Sequence, residues 1–182
     1  KDGYTGQWSS YEFGVKTQFV YAEYDVIEYN VSLDSDGGSV SSHESIYTIE
    51  SDTMLPIPVK RGYYFKGWCD SNNNIYETLA GVTGDIELKA KWDPITYYAS
   101  FMDGEVLVSK IPFTYGSSIA IPDVPSKRGY NSSWDDFTLS DSDITINARH
   151  VPIQYEIKYE LNGGINDSNN PSTYNVESSI VL

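Results

Sequence analysis

A chain of 182 residues with 12 basic and 26 acidic side chains carries a formal net charge of −14, which argues against nucleic acid and anionic membranes as partners, because phosphate-rich surfaces bind clustered lysine and arginine. The single cysteine excludes an intramolecular disulfide and a thiolate metal cluster, and no apolar run approaches the ~20 residues of a membrane helix. Aromatic and β-branched residues, including 16 tyrosines, favour strands, so the composition predicts a mostly β protein with little helix.

The first predicted element, residues 1–26, belongs to an internal repeat. Gly3-Tyr4, Trp8 and Ala22 are landmarks that return twice further along the chain, and an Ile-x-Tyr begins five residues after each copy of the alanine. Such a fixed register indicates a tandem array of modules. Because the chain opens within the pattern, we expect residues 1–26 to be the C-terminal half of a module, and the chain to be an internal segment of a longer protein.

Residues 27–93 contain a complete copy, which we call the long module. Tyr29, Val31 and Leu33 alternate with polar residues, a period-two pattern that predicts a strand with one buried and one solvated face. An Asp-Gly-Gly sequence at residues 36–38 favours the positive φ angles of a tight turn. The closing segment alternates in the same way, with these residues on one face: Ile86, Leu88, Ala90 and Trp92.

Residues 94–151 contain a second complete copy, the short module. Lys-Arg-Gly-Tyr at residues 60–63 returns at 127–130, and a tryptophan follows each time, at Trp68 and Trp134, which we predict to be buried. The short module lacks the turn-rich insert that begins at residues 70–74 of the long one. Its closing segment keeps the alternation, with these residues on one face: Ile144, Ile146, Ala148 and His150.

Residues 152–182 repeat the opening of the long module, so we interpret them as the N-terminal half of a further module. Apolar residues alternate with polar ones from Tyr155 to Leu161 and predict a strand, and an Asn-Gly-Gly turn follows at residues 162–164. The two terminal halves are complementary. Two interpretations follow: the exposed edge of one chain's tail pairs with the incomplete sheet at the head of another, giving head-to-tail self-association, or the missing halves are disordered or lie outside this sequence.

The linkers between modules are short. Asp93-Pro94 and Val151-Pro152 mark them, and proline keeps the residue before it extended. The spacing predicts a semi-rigid rod that contains two complete and two partial modules.

The motifs of the long module resemble the Listeria–Bacteroides repeat, also called the internalin B-type B repeat. The resemblance lies in Tyr-x-Val-x-Leu followed by Gly-Gly, in Arg-Gly-Tyr-Tyr-Phe-Lys-Gly-Trp at residues 61–68, and in residues 84–92. Residues 94–150 look like a shortened relative. The resemblance implies a small β-grasp-like module in a secreted or wall-attached bacterial surface protein, acting as a stalk or protein-interaction module and not known for catalysis.

The residues that recur in register are glycine, tyrosine, tryptophan, alanine and isoleucine, which form turns and cores. No Asp, Glu, His or Ser recurs with a matching partner, so we predict no catalytic residue and no enzyme. His150 occupies the position of Tyr24 and Trp92 in the other copies, and we interpret it as a core-facing ring. His43 has no second ligand at zinc-like spacing.

Two acidic turns remain as candidates for calcium. Residues 34–38 and 70–74 resemble the start of a calcium-binding loop, but Gly38 stands where such a loop needs Asp or Asn, Ser45 stands where it needs Glu, and Ile75 stands where it needs glycine. Hairpin turns explain both segments better. We therefore predict no metal and no cofactor.

Aromatic residues exceed what one buried face needs. Phe19, Tyr21 and Tyr98 fall on the face opposite the alternating core residues, so they are candidates for an exposed binding surface, or for packing against a neighbouring module. We expect a non-catalytic spacer and adhesion region at a bacterial cell surface or cell wall, with a protein or glycan ligand. The alternative is a carbohydrate-binding accessory region of a secreted hydrolase.

Overall fold

The structure, a computed structural model, describes residues 1–52 and 54–179, and within that part it contains thirteen strands and no helix. The prediction of a mostly β protein is confirmed. The strands are β1 (Tyr4–Trp8), β2 (Ala22–Val26), β3 (Tyr29–Asp34), β4 (Ile46–Tyr47), β5 (Tyr63–Cys69), β6 (Ile75–Tyr76), β7 (Ile86–Pro94), β8 (Thr96–Asp103), β9 (Val106–Thr114), β10 (Tyr130–Trp134), β11 (Ile144–Pro152), β12 (Tyr155–Glu156) and β13 (Thr173–Tyr174). The chain divides into two compact units, Lys1–Ile95 and Thr96–Leu182.

The larger sheet of the first unit has the strand order β4-β3-β7-β5-β6. β3 and β7 lie side by side in parallel at its centre, and the other pairs are antiparallel. The main sheet of the second unit has the order β10-β11-β8-β9, again with a parallel central pair, β8 and β11. Each complete copy therefore brings its first and last strands together at the centre of the sheet and places its second and third strands outside them.

The predicted alternation along the closing strand is confirmed. In β7, Leu88 and Ala90 are buried, whereas Glu87, Lys89 and Lys91 are exposed. The buried side chains on this face form one core in each unit. The core of the first unit contains Val31, Tyr47, Trp68, Leu79, Leu88 and Ala90, and that of the second contains Ala99, Phe101, Phe113 and Ile146.

The two tryptophans differ in burial although both anchor a core. Trp68 is 1% exposed, and the prediction for it is confirmed, whereas Trp134 is only half-buried. The ring nitrogen of each donates a 2.8 Å hydrogen bond to the carbonyl oxygen of a proline twelve residues earlier, Pro56 and Pro122. In the first unit β6 pairs with β5 at Trp68, whereas in the second unit β10, which carries Trp134, is an edge strand of its sheet. The insert that supplies β6 explains why Trp68 is covered more completely.

A ring pair joins the first two strands of every copy. Tyr29 and Tyr47 have ring centroids 5.7 Å apart, and Tyr97 and Phe113 are 5.8 Å apart. The C-terminal pair β12–β13 carries the same feature, with the Tyr155 and Tyr174 rings 5.4 Å apart. The predicted positive φ angles also occur: Asp36 and Gly37 have φ of 49° and 82°, and Asn162 and Gly163 have 44° and 93°.

The terminal hairpins are β1–β2, which we call the head hairpin, and β12–β13, the tail hairpin, and both are antiparallel. The strand predicted from Tyr155 to Leu161 is wrong in its length, because only Tyr155–Glu156 is a strand and residues 157–161, all within the described part, are not. In the complete copies, the matching residues continue as a strand along a parallel neighbour. The described tail hairpin contains no such parallel pair, so the alternating pattern alone does not produce the full strand.

Candidate functional site

The repeated Lys-x-Gly-Tyr sequence, which is Lys-Arg-Gly-Tyr in the complete copies, forms a turn in all three places. The tyrosine N–H donates to the lysine carbonyl oxygen at 3.2, 3.1 and 3.0 Å for Tyr4, Tyr63 and Tyr130. The lysine ammonium then lies over the tyrosine ring, 3.6 Å from the centroid for Lys1 and 4.2 Å for Lys127. A cation over an aromatic face is attracted by the ring's negative potential, so the turn holds its tyrosine in a defined position.

The glycine of this turn connects one copy to the next. The Gly3 carbonyl oxygen accepts the N–H of Ile27 at 2.9 Å, and Gly129 accepts that of Ile153 at 2.8 Å. The N–H of Ile95 donates in the same way to Gly62, at 2.9 Å. Each isoleucine begins the following copy. The recurrence of Gly, Tyr and Ile therefore reflects a repeated connection between copies as well as the turns and core that the sequence predicted.

In the first unit, the head hairpin packs through this turn against a loop of the long module. Gly3 lies so close to Ile49 that a Cβ atom on it would come within 2.7 Å of the Ile49 Cβ. The Tyr4 hydroxyl donates to the carboxylate of Glu50. A serine hydroxyl shapes the loop, because Thr48 N–H donates to Ser51 Oγ at 2.9 Å. We call this contact, together with its counterpart in the second unit, the joint.

The second unit contains the same joint between the short module and the tail hairpin. A Cβ atom on Gly129 would lie 2.0 Å from Val176 Cγ1, and the Tyr130 hydroxyl donates a 2.8 Å hydrogen bond to Glu177. The loop is again shaped by a serine, since Asn175 N–H donates to Ser178 Oγ at 2.9 Å. The Glu177 carboxylate raises the pKa of the Tyr130 phenol, because ionisation of the phenol would end this hydrogen bond.

Sequence reasoning missed the acidic and aliphatic partners of the joint. Ile49 and Val176, and Glu50 and Glu177, stand in the same register within the Thr/Asn-x-x-Ser loop, but the short module has Tyr115 and Gly116 at those places. A residue pair shared by two copies of three is a weak signal. The signal that could have revealed this loop is the serine at its fourth position, which is present in all three copies as Ser51, Ser117 and Ser178.

An aspartate also recurs, contrary to the expectation that no acidic residue does. Asp85 Oδ1 accepts the N–H of Asn30 at 2.7 Å, and Asp143 Oδ1 accepts the N–H of Tyr98 at 2.9 Å. Each aspartate immediately precedes the closing strand and satisfies a donor on the first strand. The expectation failed because the partner is a backbone N–H, which leaves no recurring side chain in the sequence. The role is structural: the aspartate joins the parallel strands where their pairing begins.

The candidate binding aromatics fall into two places. Phe19 and Tyr21 are 76% and 65% exposed, and their rings stack with centroids 6.5 Å apart and an interplanar angle of 26°. Counted from the shared landmarks, the complete copies have exposed polar residues at these two positions: Glu87 and Lys89, Thr145 and Asn147. The pair therefore corresponds in register to the outward face of the complete copies. Tyr98 belongs to the second unit, where the Lys110 ammonium lies 4.5 Å from its ring centroid.

His150 is half-buried, its ring meets the Tyr130 ring edge-on with centroids 6.3 Å apart, and its two nitrogens form a polar bridge. Its Nδ1 lies 2.7 Å from Ser132 Oγ, and its Nε2 lies 3.1 Å from Asp103 Oδ1. In the long module Trp92 takes this place, stacked edge-on against Phe65 with its ring nitrogen donating to the Ser35 carbonyl oxygen at 3.1 Å. An imidazole needs partners for both nitrogens when it is partly buried. Three polar side chains on neighbouring strands of the short module, Ser132, His150 and Asp103, thus stand where the long module has a cluster of aromatic rings.

The two acidic turns use their oxygens for hydrogen bonds within the chain. Asp70 Oδ1 accepts the N–H groups of Asn72 and Asn74, both at 2.9 Å, and Asp70 Oδ2 accepts from the Asn74 side chain and the Tyr76 hydroxyl. These bonds lower the pKa of the Asp70 carboxyl, the Asn74 side chain being the main cause. The geometry is that of a hairpin turn.

The other acidic turn is held by lysines. Lys89 Nζ lies 2.7 Å from Asp36 Oδ1, and Lys60 Nζ lies 3.6 Å from Asp36 Oδ2. The hydrogen bond from Lys89 is the main reason why the pKa of Asp36 is lowered. Across residues 1–52 and 54–179, no three or more His, Cys, Asp or Glu side chains are grouped so that they could hold a metal ion.

Comparison with known proteins identifies the long module. Residues 29–91 match the family model of the Listeria-Bacteroides repeat domain. A protein of Evansella cellulosilytica, provisionally named a Gly-rich membrane protein, is 33% identical over 197 aligned residues, which cover 90% of this chain and 23% of that protein. A second protein of this organism, provisionally named a membrane protein, is 31% identical over 161 residues, covering 79% of this chain and 24% of its own length.

The chain thus spans about a quarter of the length of the relatives it matches. The alignment with the first of them reaches well beyond residues 29–91, so the similarity includes copies outside the family match. The described residues include no helix with the length and hydrophobicity that a membrane crossing requires.

Proposed function

Because residues 29–91 are a Listeria-Bacteroides repeat domain, we propose that the chain is a non-catalytic spacer and adhesion region of a bacterial surface protein. The joint carries this proposal: in both units the Gly-Tyr turn of one copy holds an aliphatic residue and a glutamate of the next. A contact that is repeated between copies supports a chain whose modules keep a fixed spacing. The two relatives are named as membrane proteins, which supports a location at the cell surface or cell wall.

The shared strand order supports a β-grasp-like module. In both complete copies the first and last strands pair in parallel at the centre, with the second and third strands on the outside. That order is the one expected of a β-grasp sheet, and here a loop takes the place of the helix. We propose that such modules, connected through joints, form the semi-rigid rod that the short linkers predict.

Joint stiffness can be tested in the second unit by replacing Gly129 with alanine. The control is Gly116→Ala, because Gly116 has φ +79° and Gly129 has φ +80°, so both substitutions impose the same backbone strain. An added Cβ meets nothing at Gly116 but clashes with Val176 at Gly129. Residual dipolar couplings from residues 155–176 and from the short module should fit one common alignment in the parent and in Gly116→Ala.

In Gly129→Ala the couplings should require two separate alignments, because the tail hairpin would no longer be held in the joint. The amide proton of Ile153, bonded to the Gly129 carbonyl oxygen, should also exchange faster. Two alignments already in the parent would contradict a spacer of fixed geometry. Equal behaviour of the two alanine variants would show that the joint contact does not set the orientation.

The outward pair Phe19 and Tyr21 favours a glycan as the ligand of the adhesion region, in line with the alternative of a carbohydrate-binding accessory region. Two exposed rings with nearly parallel planes offer apolar ring faces on which the C–H face of a sugar ring can pack. Soluble cell-wall oligosaccharides should shift the NMR signals of these two rings. Phe19→Ala should abolish the shifts, whereas Tyr64→Ala, which removes an exposed ring elsewhere in the unit, should not.

A further inference from the structure

The turn-rich insert of the long module forms one side of a groove next to Trp68. The insert supplies β6, an edge strand of its sheet, and a groove of about 270 Å³ lies between β5, β6 and residues 54–57. Phe65 and Trp68 form part of its wall, and three aliphatic side chains line it: Met54, Ile57 and Ile75. All of these residues belong to the long module, which this chain contains as a complete copy.

The aliphatic side chains of the groove are exposed together. Met54, Ile57 and Ile75 are 65%, 77% and 56% exposed. Single exposed apolar side chains are common on protein surfaces, whereas a contiguous group of them commonly marks a site of interaction. An apolar cavity of about 150 Å³ can hold a benzene ring, so this groove has room for an aromatic or a large aliphatic side chain.

Two hydrogen bonds hold the sides of the groove in place. The ring nitrogen of Trp68 donates to the Pro56 carbonyl oxygen at 2.8 Å, which ties residues 54–57 to β5. The Leu55 N–H donates to the Glu77 carbonyl oxygen at 2.9 Å, which ties the same segment to the end of β6. The groove is therefore formed before a ligand enters it, as binding sites usually are.

The short module shows that the fold does not need these exposed side chains. In both modules the tryptophan ring bonds to a proline twelve residues earlier. Counted from this proline, Ile57 stands where the short module has Asp123. Met54 likewise stands at the position of Ala120, and among the described strands of the short module none corresponds to β6. The short module still forms its own core, so the groove is an addition to the fold.

The charges at the groove favour a basic partner. Glu77 lines the groove, and Glu44 lines an adjoining hollow that Met54 also borders. Among the described residues neither carboxylate has an ion-pair partner. Lys66, the basic side chain at the groove, is already paired with Asp93 at 3.3 Å. The chain as a whole carries a net charge of −14, so it attracts cationic segments and repels anionic ones.

We propose that this groove binds an extended segment of a partner protein that carries a large apolar side chain with a lysine or arginine beside it. The apolar side chain enters the groove between Ile57 and Ile75, and the basic side chain pairs with the Glu77 carboxylate. The inference goes beyond the proposed spacer function. It depends neither on the stiffness of the joints nor on glycan binding by Phe19 and Tyr21.

A short capped peptide with phenylalanine at its centre and lysine at each end is a suitable probe. Titrated into the whole chain at low salt, it should shift the NMR signals of the Ile57 and Ile75 methyl groups. Replacing its lysines with glutamates should weaken binding by about tenfold, because charge-assisted contacts are lost. Replacing its phenylalanine with alanine should also weaken binding, because the groove is left unfilled. Glu77→Lys should reverse the preference between the lysine and glutamate peptides.

Two aspartate substitutions separate the apolar groove from general attraction between charges. Ile57→Asp introduces the residue that the short module has at this position. Val59→Asp adds the same charge two residues away, at a side chain that is 70% exposed and does not line the groove. Either added carboxylate attracts the lysine peptide, so only the loss of the apolar wall can weaken binding. Ile57→Asp should bind about tenfold more weakly than the parent, and Val59→Asp should bind at least as tightly.

Methyl signals that do not move at millimolar concentrations of the lysine peptide would overturn the proposal. Equal affinity for the lysine and glutamate peptides would also overturn it, as would equal binding by the two aspartate variants. The indole N–H signal of Trp68, which is bonded to Pro56, reports whether the long module is folded in each variant. Glu77→Lys leaves the apolar wall unchanged, so it tests the charge of the partner even if Ile57→Asp does not fold.

Discussion

The Tyr130 hydroxyl donates a 2.8 Å hydrogen bond to the Glu177 carboxylate, although 47 residues separate them in sequence. This bond ties the short module to the hairpin that follows it. Tyr130→Phe keeps the ring beneath Lys127 and removes only the hydroxyl, so the amide proton of Ile153 should exchange several-fold faster while the amides of β8 are unchanged. Glu177→Gln keeps an acceptor and should have a smaller effect. Unchanged exchange at Ile153 in Tyr130→Phe would show that the hydroxyl does not hold the joint.

The buried tryptophan of the long module should account for a large part of its stability. Trp68→Ala removes a side chain that is 1% exposed and should lower the free energy of unfolding by about 3–5 kcal/mol, the usual cost of deleting a large buried aromatic. Trp8→Ala is the matched control, since this ring is 71% exposed and its loss should leave the free energy of unfolding of the module nearly unchanged. Urea denaturation followed by circular dichroism measures both, and equal midpoints would contradict the assigned core.

Acid should weaken the turn of the long module through Asp36. Hydrogen bonding to Lys89 lowers the pKa of Asp36 below its ordinary value of 3.8, so the folded state favours the carboxylate. The resulting stabilisation is present above pH 3.8 and is lost as the pH falls through the lower pKa of the folded state. Asp36→Asn should flatten the acid side of the stability curve. Asparagine tolerates the φ of 49° at this position, which limits the backbone effect of the change.

The aspartate before each closing strand should protect one backbone amide. Asp143→Ala removes the acceptor of the Tyr98 N–H, so this amide proton should exchange faster, and the second unit should lose about 1 kcal/mol of stability. Asp143→Asn retains a side-chain oxygen and should restore most of the protection. An alanine variant in which Tyr98 exchanges at the parent rate would rule out this role. Asp85 and the Asn30 amide offer the same test in the first unit.

Calcium should not stabilise the chain. The oxygens of Asp70 accept hydrogen bonds from its own turn, and the Asp36 carboxylate binds lysine, so both turns are organised by the protein's own donors. A ligand that binds the folded state raises the melting temperature, by an amount that grows with the logarithm of its concentration relative to its Kd. Melting curves in calcium and in chelator should therefore coincide. A higher melting temperature in calcium that Asp70→Asn abolishes would assign a metal site to this turn.

Alternation predicted the opening and closing strands of the complete modules, and residue type predicted the tight turns, because both are local properties. Leu88 and Ala90 are buried and their neighbours exposed, and Asn162 and Gly163 adopt positive φ, as their residue types favour. The length of the tail strand was wrong because a strand also needs a neighbour, which the residues between Tyr155 and Leu161 do not encode.

Local sequence patterns could not predict the joint or the polar bridge, because the partners in both are distant in sequence. Glu177 is identified only by its partner 47 residues away, and His150 is placed by Asp103 at the same separation. Because His150 stands at the register position of Trp92, the sequence suggested an apolar environment. The structure instead gives the histidine ring polar partners, Ser132 and Asp103. Phe19 and Tyr21 are exposed, but so are Val20 and Tyr24 on the face opposite them, so alternation did not distinguish the two faces of the head hairpin; their use as a binding surface stays a prediction.

The parallel central pair determines how a module carries tension. Force transmitted along the chain pulls the start of β3 and the end of β7 in opposite directions, and because these strands run parallel, the pull is directed along the strands. The hydrogen bonds of the pair are then loaded in shear and must break together, whereas a hairpin pulled from its open end would separate one bond at a time. The second unit has the same arrangement in β8 and β11. Each complete module is therefore expected to resist stretching, a property suited to the proposed spacer.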